Sequence, residues 1–352
     1  MPVIQPDSLR NIGYQIYEAC GCSAEDARIV VDHLVVSSLY GHHSHGILRF
    51  YEYVPFLTEG RFNPRGTPRV VWERPCSALV DGDGAMGQVG GEFATRLAID
   101  KARTQGIAAV TLRNTSHIGR VGAYPLMVAR EGLLGLVFCN AGNLGFQIAP
   151  FGGLDGRLST DPIAFAAPRR DANPIMVDMA TSMAADGKIR MALNRGEQIP
   201  KGWIIDAQGQ LSTDPEDYTE RGGAILPLGG VSGHKGTCLG FIVELLGGAL
   251  SGEGVANGGR KLKSNGVLIC VYDIEHFTDR ESFFDEVETL VAHVRSSRVD
   301  PNIGEIQLPG EPEYRNEQRQ LQDGIDVDDT TWSRICEAGD QLGIDTGQWT
   351  VG

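Results

Sequence analysis

The chain has 352 residues, more than a single hydrophobic core usually organises, so two core-bearing units or one large mixed domain are expected. A composition of 41% hydrophobic and 22% charged residues is that of a packed globular protein, and a net charge of -14 excludes the basic face that nucleic acid or an anionic membrane would need. Seven scattered cysteines show neither C-x-x-C nor zinc-ligand spacing and read as reduced core residues.

In chain order, Leu9, Ile12, Ile16 and Ala19 recur at helical spacing from Pro6 to Cys20, and Gly21 follows as a stop. Ser23 and Asp26 form a variant of the capping box ahead of Ile29, Val30, His33, Leu34 and Leu39, which predicts a second helix to about Tyr40. Ile47, Tyr51, Val54 and Leu57 predict a third, short helix before the Pro/Gly-rich stretch from Gly60 to Pro68, so this first unit is expected to be wholly helical. The N-terminus lacks the basic and apolar regions of a signal peptide, which points to a cytoplasmic protein.

Beyond Val70 short β-rich runs alternate with helical ones. Strands are predicted at Ala78 to Val80, Ala108 to Leu112, Leu134 to Cys139, Ile163 to Ala166, Ile175 to Val177 and Val267 to Tyr272. Helices are predicted at Gly91 to Arg103, Gly119 to Arg130, Thr181 to Asn194 and Gly236 to Leu250, the last too short for a membrane span and carrying Glu244. Ser282 to Val294 and Asp329 to Leu342 return to polar amphipathic helix. The expectation is a mixed α/β fold: a helical domain from residues 1-75 and 285-352 around a sheet domain of residues 76-284.

Gly82-Asp83-Gly84-Ala85-Met86-Gly87 satisfies G-x-G-x-x-G between a strand and a helix, the setting of a dinucleotide fingerprint. Asp81 and Asp83, however, put two carboxylates where a pyrophosphate would lie, so the stretch reads as a turn in close contact with a helix. Gly229 to Gly236 is no Walker loop, because His234 stands where a glycine would precede Lys235.

His42, His43, Ser44, His45, Gly46 and Arg49 follow the second helix. Three readings compete: a metal site, a polar helix end whose histidines meet the C-terminal dipole, and a proton-transfer group. The string is too compact to bring all three rings to one ion. Imidazole, with an ordinary pKa of about 6.5, exchanges protons near neutrality, which makes His45 the first acid–base candidate and Arg49 a candidate anchor for a substrate carboxylate. His117, at the end of the Ala108 to Leu112 strand, is the second candidate. The stretch Asp178-Met179-Ala180-Thr181-Ser182 joins a strand to a helix, where its hydroxyls and backbone N–H groups suit either a phosphate or simple capping.

Together these segments resemble the malate/L-lactate dehydrogenase superfamily that does not use a Rossmann fold, a group that also holds ureidoglycolate, sulfolactate and diketogulonate enzymes and piperideine- and pyrroline-carboxylate reductases. The resemblance rests on Ser44 to Arg49, Asn114 to Gly119, Ala149 to Gly153, Asp178 to Ser182, Gly202 to Asp206, Leu226 to Gly230 and Leu308 to Glu311. It implies a homodimer with a largely antiparallel cofactor-binding sheet domain, and helical segments that supply catalytic groups. It implies His45 as proton donor or acceptor, Ser44 and Asp178 as groups that polarise or orient it, His117 as the base of some members, and Arg49 and Tyr53 at the substrate. Asn140, Thr160, Asp178, Met179, Ala180, Thr181, Ser182, Lys235, Pro309, Gly310 and Glu311 match cofactor-contacting regions, with no metal implied.

Three positions depart from the family pattern. Ser159-Thr160-Asp161-Pro162 stands for its frequent Gly-Thr-Asn-Pro, His234 for an aromatic residue, and Asp186 for an arginine. A carboxylate at Asp186 would accept ribose hydroxyls and repel a 2'-phosphate, which favours NAD over NADP. The expected reaction is hydride transfer between nicotinamide and C2 of a small 2-oxo or 2-hydroxy acid of the malate, lactate, ureidoglycolate or sulfolactate kind. Its rivals are cyclic-imine carboxylate reduction, a metal-dependent hydrolase built on the histidines from His42 to His45, and a catalytically idle binding protein.

Overall fold

A computed structural model describes residues 2–141, 146–257 and 264–349. Its main sheet has seven strands in the order Arg69–Arg74, Ser77–Asp81, Ile107–Arg113, Gly266–Tyr272, Leu134–Asn140, Ile163–Ala167 and Ile175–Met179. Ser77–Asp81 and Ile107–Arg113 run parallel, joined by the helix Gly87–Gln105; every other neighbouring pair in this sheet is antiparallel. A mixed α/β fold with a mainly antiparallel sheet results.

The sheet forms because alternate residues are apolar. Ala78 and Val80 point to one face, and Val110, Leu112, Val137, Ala164 and Ile269 join them in one buried cluster. Ala94, Ala98 and Ala102 recur every four residues along Gly87–Gln105, so that helix lies flat on the sheet. Each fully buried Val, Ile or Leu contributes about 1.5–3 kcal/mol relative to exposure. Gly91 is required where this helix crosses the next: a Cβ there would stand 2.4 Å from the Tyr124 ring.

A second core is built by both chain ends. Leu9, Ile12 and Ile16 of Pro6–Ala19 pack with Val30, Val31 and Leu34 of Ala24–Leu39, with Ile335 and Ala338 of Asp329–Gln341, and with Met86, Leu126 and Met176 from the sheet side. The first helix stops at Gly21, whose φ of 94° favours glycine, and Ser23 Oγ accepts from Asp26 N at 3.1 Å. No helix among the described residues is long and apolar enough to cross a membrane.

The first unit is not wholly helical. Val3–Ile4 pairs antiparallel with Ile325–Asp326, and Arg69–Arg74 forms a hairpin with Ser77–Asp81 at the edge of the main sheet. All six residues of that edge strand are exposed, so no buried face marks it in the sequence. The helix Glu311–Asp323 was likewise hidden, because only Tyr314 and Gln320 of it are buried. Two helices begin later than periodicity suggests, at Ala123 and Asp186, and the run after Gly236 divides into His234–Val243 and a π-helical turn Glu244–Ala249.

Candidate active site

Directly after the second helix, residues His43–His45 form a 3-10 turn. Its exit is set by Gly46, where a Cβ would stand 2.1 Å from Ser38 Oγ, the atom that accepts from Ile47 N at 3.0 Å. The three neighbouring histidines part company here. His42 Nε2 lies 3.5 Å from Glu313, while the His45 ring turns to the sheet side. Among the described residues no three His, Cys, Asp or Glu side chains converge as metal ligands would.

His117 arrives from the sheet. The loop after Ile107–Arg113 is pinned by Ser116 Oγ, which accepts from Gly87 N at 2.8 Å, and by Ile118 N, which donates to Asn265 Oδ1 at 2.9 Å. The glycine-rich turn serves this loop: Gly82 N and Gly84 N donate to Arg113 O and Asn114 O at 2.9 and 2.8 Å. A Cβ at Gly87 would stand 2.3 Å from His117 O. Its donors are spent on the protein, which leaves no cradle for a pyrophosphate although the turn sits in a genuine strand–helix–parallel-strand unit.

The two segments meet across a cleft of about 610 Å³, lined in part by Ser44, His45, Arg49, Tyr53, His117 and Thr160. The His45 and His117 rings stack with centroids 5.4 Å apart. Ser44 Oγ lies 2.9 Å from His45 Nδ1, and Tyr53 OH lies 2.6 Å from His117 Nδ1. Arg49 Nε donates to Ser44 O at 2.9 Å, and its Nη1 pairs with Glu52. Loss of solvent at the cleft wall, followed by the charges of Arg49 and its neighbours, lowers the His45 pKa to about 3. Burial raises that of Tyr53 to about 12, so its hydroxyl keeps its proton.

The remaining predicted residues are distributed differently. Asp178 does not line the cleft with His45; its carboxylate accepts from Gly122 N at 2.9 Å and faces the buried Arg120 at 3.5 Å. Thr181 N and Oγ1 both donate to Thr160 O, and Ser182 Oγ donates to Ala184 O, so neither hydroxyl caps the helix, whose N-cap is Ala185. Met179 and Lys235 are exposed, and Ala180 follows at the strand end. Asn140 is wholly buried, donating to Gly254 O and accepting from Gly266 N.

Pro309 and Glu311 line a second cavity of about 570 Å³, beside Pro174, Ile175 and Tyr314. Gly310 opens the following helix with a φ of 95°, and Pro309 O accepts from Met176 N, which ties this turn to the strand that carries Asp178. Asp186 lies in the histidine cleft, where Arg190 Nε donates to both its oxygens and Tyr218 OH donates at 2.7 Å.

Sequence reasoning missed His33, Arg120 and Arg190. His33 stands at one of the positions whose spacing predicts the second helix, and it faces inward: its Nε2 accepts from Arg120 N at 2.8 Å, and enclosure lowers its pKa to about 3. Nothing local distinguishes Arg120 or Arg190 from solvated arginines.

A cleft in which two imidazoles from different segments stack beside a guanidinium is the arrangement of an acid–base enzyme for a small anion. The sequence profile of the malate/L-lactate dehydrogenase family matches residues 4–336. Malate dehydrogenase of Pyrococcus horikoshii is 36% identical over 97% of this chain and 96% of its own. The structure of sulfolactate dehydrogenase from Methanocaldococcus jannaschii superposes with a TM-score of 0.88 at 33% identity, over 98% of both chains. Delta1-piperideine-2-carboxylate reductase from Pseudomonas syringae superposes with a TM-score of 0.82 at 28% identity, over 96% of this chain and 100% of that one. The chain belongs to the malate/L-lactate dehydrogenase family, and it is an oxidoreductase acting on hydroxy acids.

Proposed function

We propose that the protein interconverts a small 2-hydroxy acid and its 2-oxo acid with NAD or NADP, and that it acts as a homodimer. The observation that carries this reading is the meeting of His45, His117 and Arg49 in one cleft that Thr160 also lines. Thr160 and the adjoining Ala141 edge fit the nicotinamide end of the cofactor, and the turn Pro309 to Glu311 a more distant part. Bound nicotinamide supplies or accepts the hydride at C2.

The chain's own residues handle charge and protons. Arg49 binds the carboxylate next to C2, held in place by its Nε contact with Ser44 O. In oxidation the neutral His45 ring takes the hydroxyl proton through Nε2, while Nδ1–H donates to Ser44 Oγ. In reduction the same nitrogen returns the proton to the carbonyl oxygen. His117 donates from Nε2, because its Nδ1 accepts from Tyr53 OH and Gly119 N. The exposed Phe241, Leu245 and Leu250 offer an apolar face for the second copy.

The test is oxidation of NADH and NADPH by the purified protein against a panel of 2-oxo acids and cyclic imines. Turnover of a 2-oxo acid supports the reading; turnover of imines alone replaces it with imine reduction, and inactivity on both removes it. Sedimentation of the same sample tests the dimer.

A further inference from the structure

Gln88 is the second residue of the helix Gly87–Gln105 and is 1% exposed, yet neither its Nε2 nor its Oε1 takes a well-formed hydrogen bond among the described residues. A methionine would fill the same space without the cost of a buried amide left short of partners. A side chain kept at that cost points to a task at a neighbour.

The neighbour is the Tyr53–His117 pair. The glycine-rich turn seats the start of this helix on the loop that carries His117: Cβ atoms at Gly87 and Gly90 would stand 2.3 Å from His117 O and 2.9 Å from Thr115 Oγ1. Gln88 Nε2 extends to Gly119, where a Cβ would stand 3.0 Å from it, and Gly119 N lies 3.3 Å from His117 Nδ1. Tyr53 OH lies 2.6 Å from that same Nδ1. Burial raises the Tyr53 pKa, while the Arg49 charge and then a contact from the Gln88 amide oppose the rise, which marks the amide as a donor towards the Tyr53 oxygen. His33 Nε2 borders the same point of Gly119 and already accepts from Arg120 N, so an N–H group of Gln88 suits this side better than its carbonyl oxygen.

The polarity of the chain of contacts follows. Gly119 N can only donate, so His117 Nδ1 holds a lone pair towards it. The Tyr53 hydroxyl has one hydrogen; when that hydrogen goes to Nδ1, its oxygen is left to accept, and Gln88 supplies the donor. An acceptor at the Gln88 position would draw the hydroxyl hydrogen away and let Nδ1 take up the ring proton. We propose that Gln88 is a positioning residue for His117: its amide donates to the Tyr53 oxygen, the Tyr53 hydroxyl donates to Nδ1, and the ring presents Nε2–H to the substrate oxygen. The role in catalysis rests on the hydroxy-acid reading above, whereas the tautomer is a property of the protein alone. The G-x-G-x-x-G stretch thereby gains a task, which is to seat Gln88 behind the acid–base pair.

Two measurements test this on the wild type, Gln88→Met, Tyr53→Phe and the double variant. The first is the tautomer of His117, read from the ring nitrogen chemical shifts of protein labelled in histidine, with His117→Gln to assign the signals. Expected are Nε2–H in the wild type and a mixture of both tautomers in Gln88→Met and in Tyr53→Phe. The second is steady-state reduction of a 2-oxo acid. Gln88→Met should lower kcat by roughly tenfold, the effect of one hydrogen bond, with a smaller change in KM, and should cost nothing further once Tyr53 is Phe. A wild-type ring protonated at Nδ1, an unchanged tautomer in either single variant, or the same kcat loss with and without the Tyr53 hydroxyl would overturn the inference and leave the hydroxy-acid reading standing. A wild type that reduces no 2-oxo acid with either cofactor removes that reading, and the tautomer then decides on Gln88 by itself.

Discussion

His45 and His117 lie face to face, with ring planes 26° from parallel and centroids 5.4 Å apart. Burial first, and the Arg49 charge second, keep the His45 ring uncharged near neutrality. The other contacts of the two rings separate their tasks. Ser44 Oγ can accept from Nδ1 of His45, which leaves Nε2 as a base, while Gly119 N and Tyr53 OH point at Nδ1 of His117 and leave its Nε2–H as a donor.

His45→Ala is therefore expected to lower kcat by about 10²- to 10⁴-fold, the usual contribution of one positioned acid or base, while cofactor affinity stays nearly unchanged. Steady-state kinetics and a cofactor titration check this together. Near-normal turnover would transfer the role to His117.

The pH profile follows from the state of the free enzyme. With its pKa lowered to about 3, chiefly by desolvation, His45 stays neutral throughout the mildly acid range. In hydroxy-acid oxidation, kcat/KM should show no loss attributable to protonation of this base between about pH 8 and pH 5. A decline centred on the ordinary imidazole pKa, and absent from His45→Ala assayed at high enzyme concentration, would contradict the assignment.

Stability has its own pH signature. His33 and His45 both have folded-state pKa values near 3, against an ordinary value of 6.5. Between these limits the unfolded chain binds a proton at each site that the folded chain does not, so stability falls as pH falls from about 6.5 towards 3. Each histidine contributes a slope of about 1.4 kcal/mol per pH unit in that window. Urea unfolding at several pH values should show a shallower acid slope in His45→Ala; an unchanged slope would mean that the ring is already solvated.

Much of this was legible where a local pattern sufficed. The Ser23 cap, the Gly21 stop and the apolar cores of six strands are written into neighbouring residues, and they appear where expected. The exposed edge strand Arg69–Arg74 and the polar helix Glu311–Asp323 bury too little to leave such a pattern. At the site, Ser44, His45, Arg49, Tyr53 and His117 were picked out in advance, but their meeting depends on the docking of two segments far apart in the chain. Asp186 shows the limit: its charge was visible, while its partners Arg190 and Tyr218 are set by how the helix Asp186–Arg195 lies against its neighbours.

The uncharged Tyr53 hydroxyl is held 2.6 Å from Nδ1 of His117, so in the proposed mechanism it positions that ring. Tyr53→Phe keeps the ring that packs on Phe62 and removes only the hydrogen bond. The expected result is a fall in kcat of roughly tenfold, equivalent to about 1.4 kcal/mol, with a smaller change in KM. A change in KM alone would place Tyr53 at the substrate instead.

Asp161 is one of the departures from the family pattern, and it directly follows Thr160 in the chain. Its carboxyl is wholly buried and faces Glu244, itself 5% exposed. Neither oxygen of Asp161 nor Oε1 of Glu244 takes a well-formed hydrogen bond among the described residues. Burial first, and the Glu244 charge second, raise the Asp161 pKa above the ordinary carboxylate range. A folded pKa above the unfolded one means that stability is greatest in acid and is lost as pH rises through the folded value. Asn at this position carries no charge and can donate from Nδ2 to Glu244 Oε1. Asp161→Asn should therefore raise the thermal midpoint at and above neutral pH, by an amount equivalent to about 1–3 kcal/mol, and should do less near pH 4. Scanning calorimetry at the two pH values decides it, since equal destabilisation at both would show that the acid pair is held by contacts an amide cannot replace.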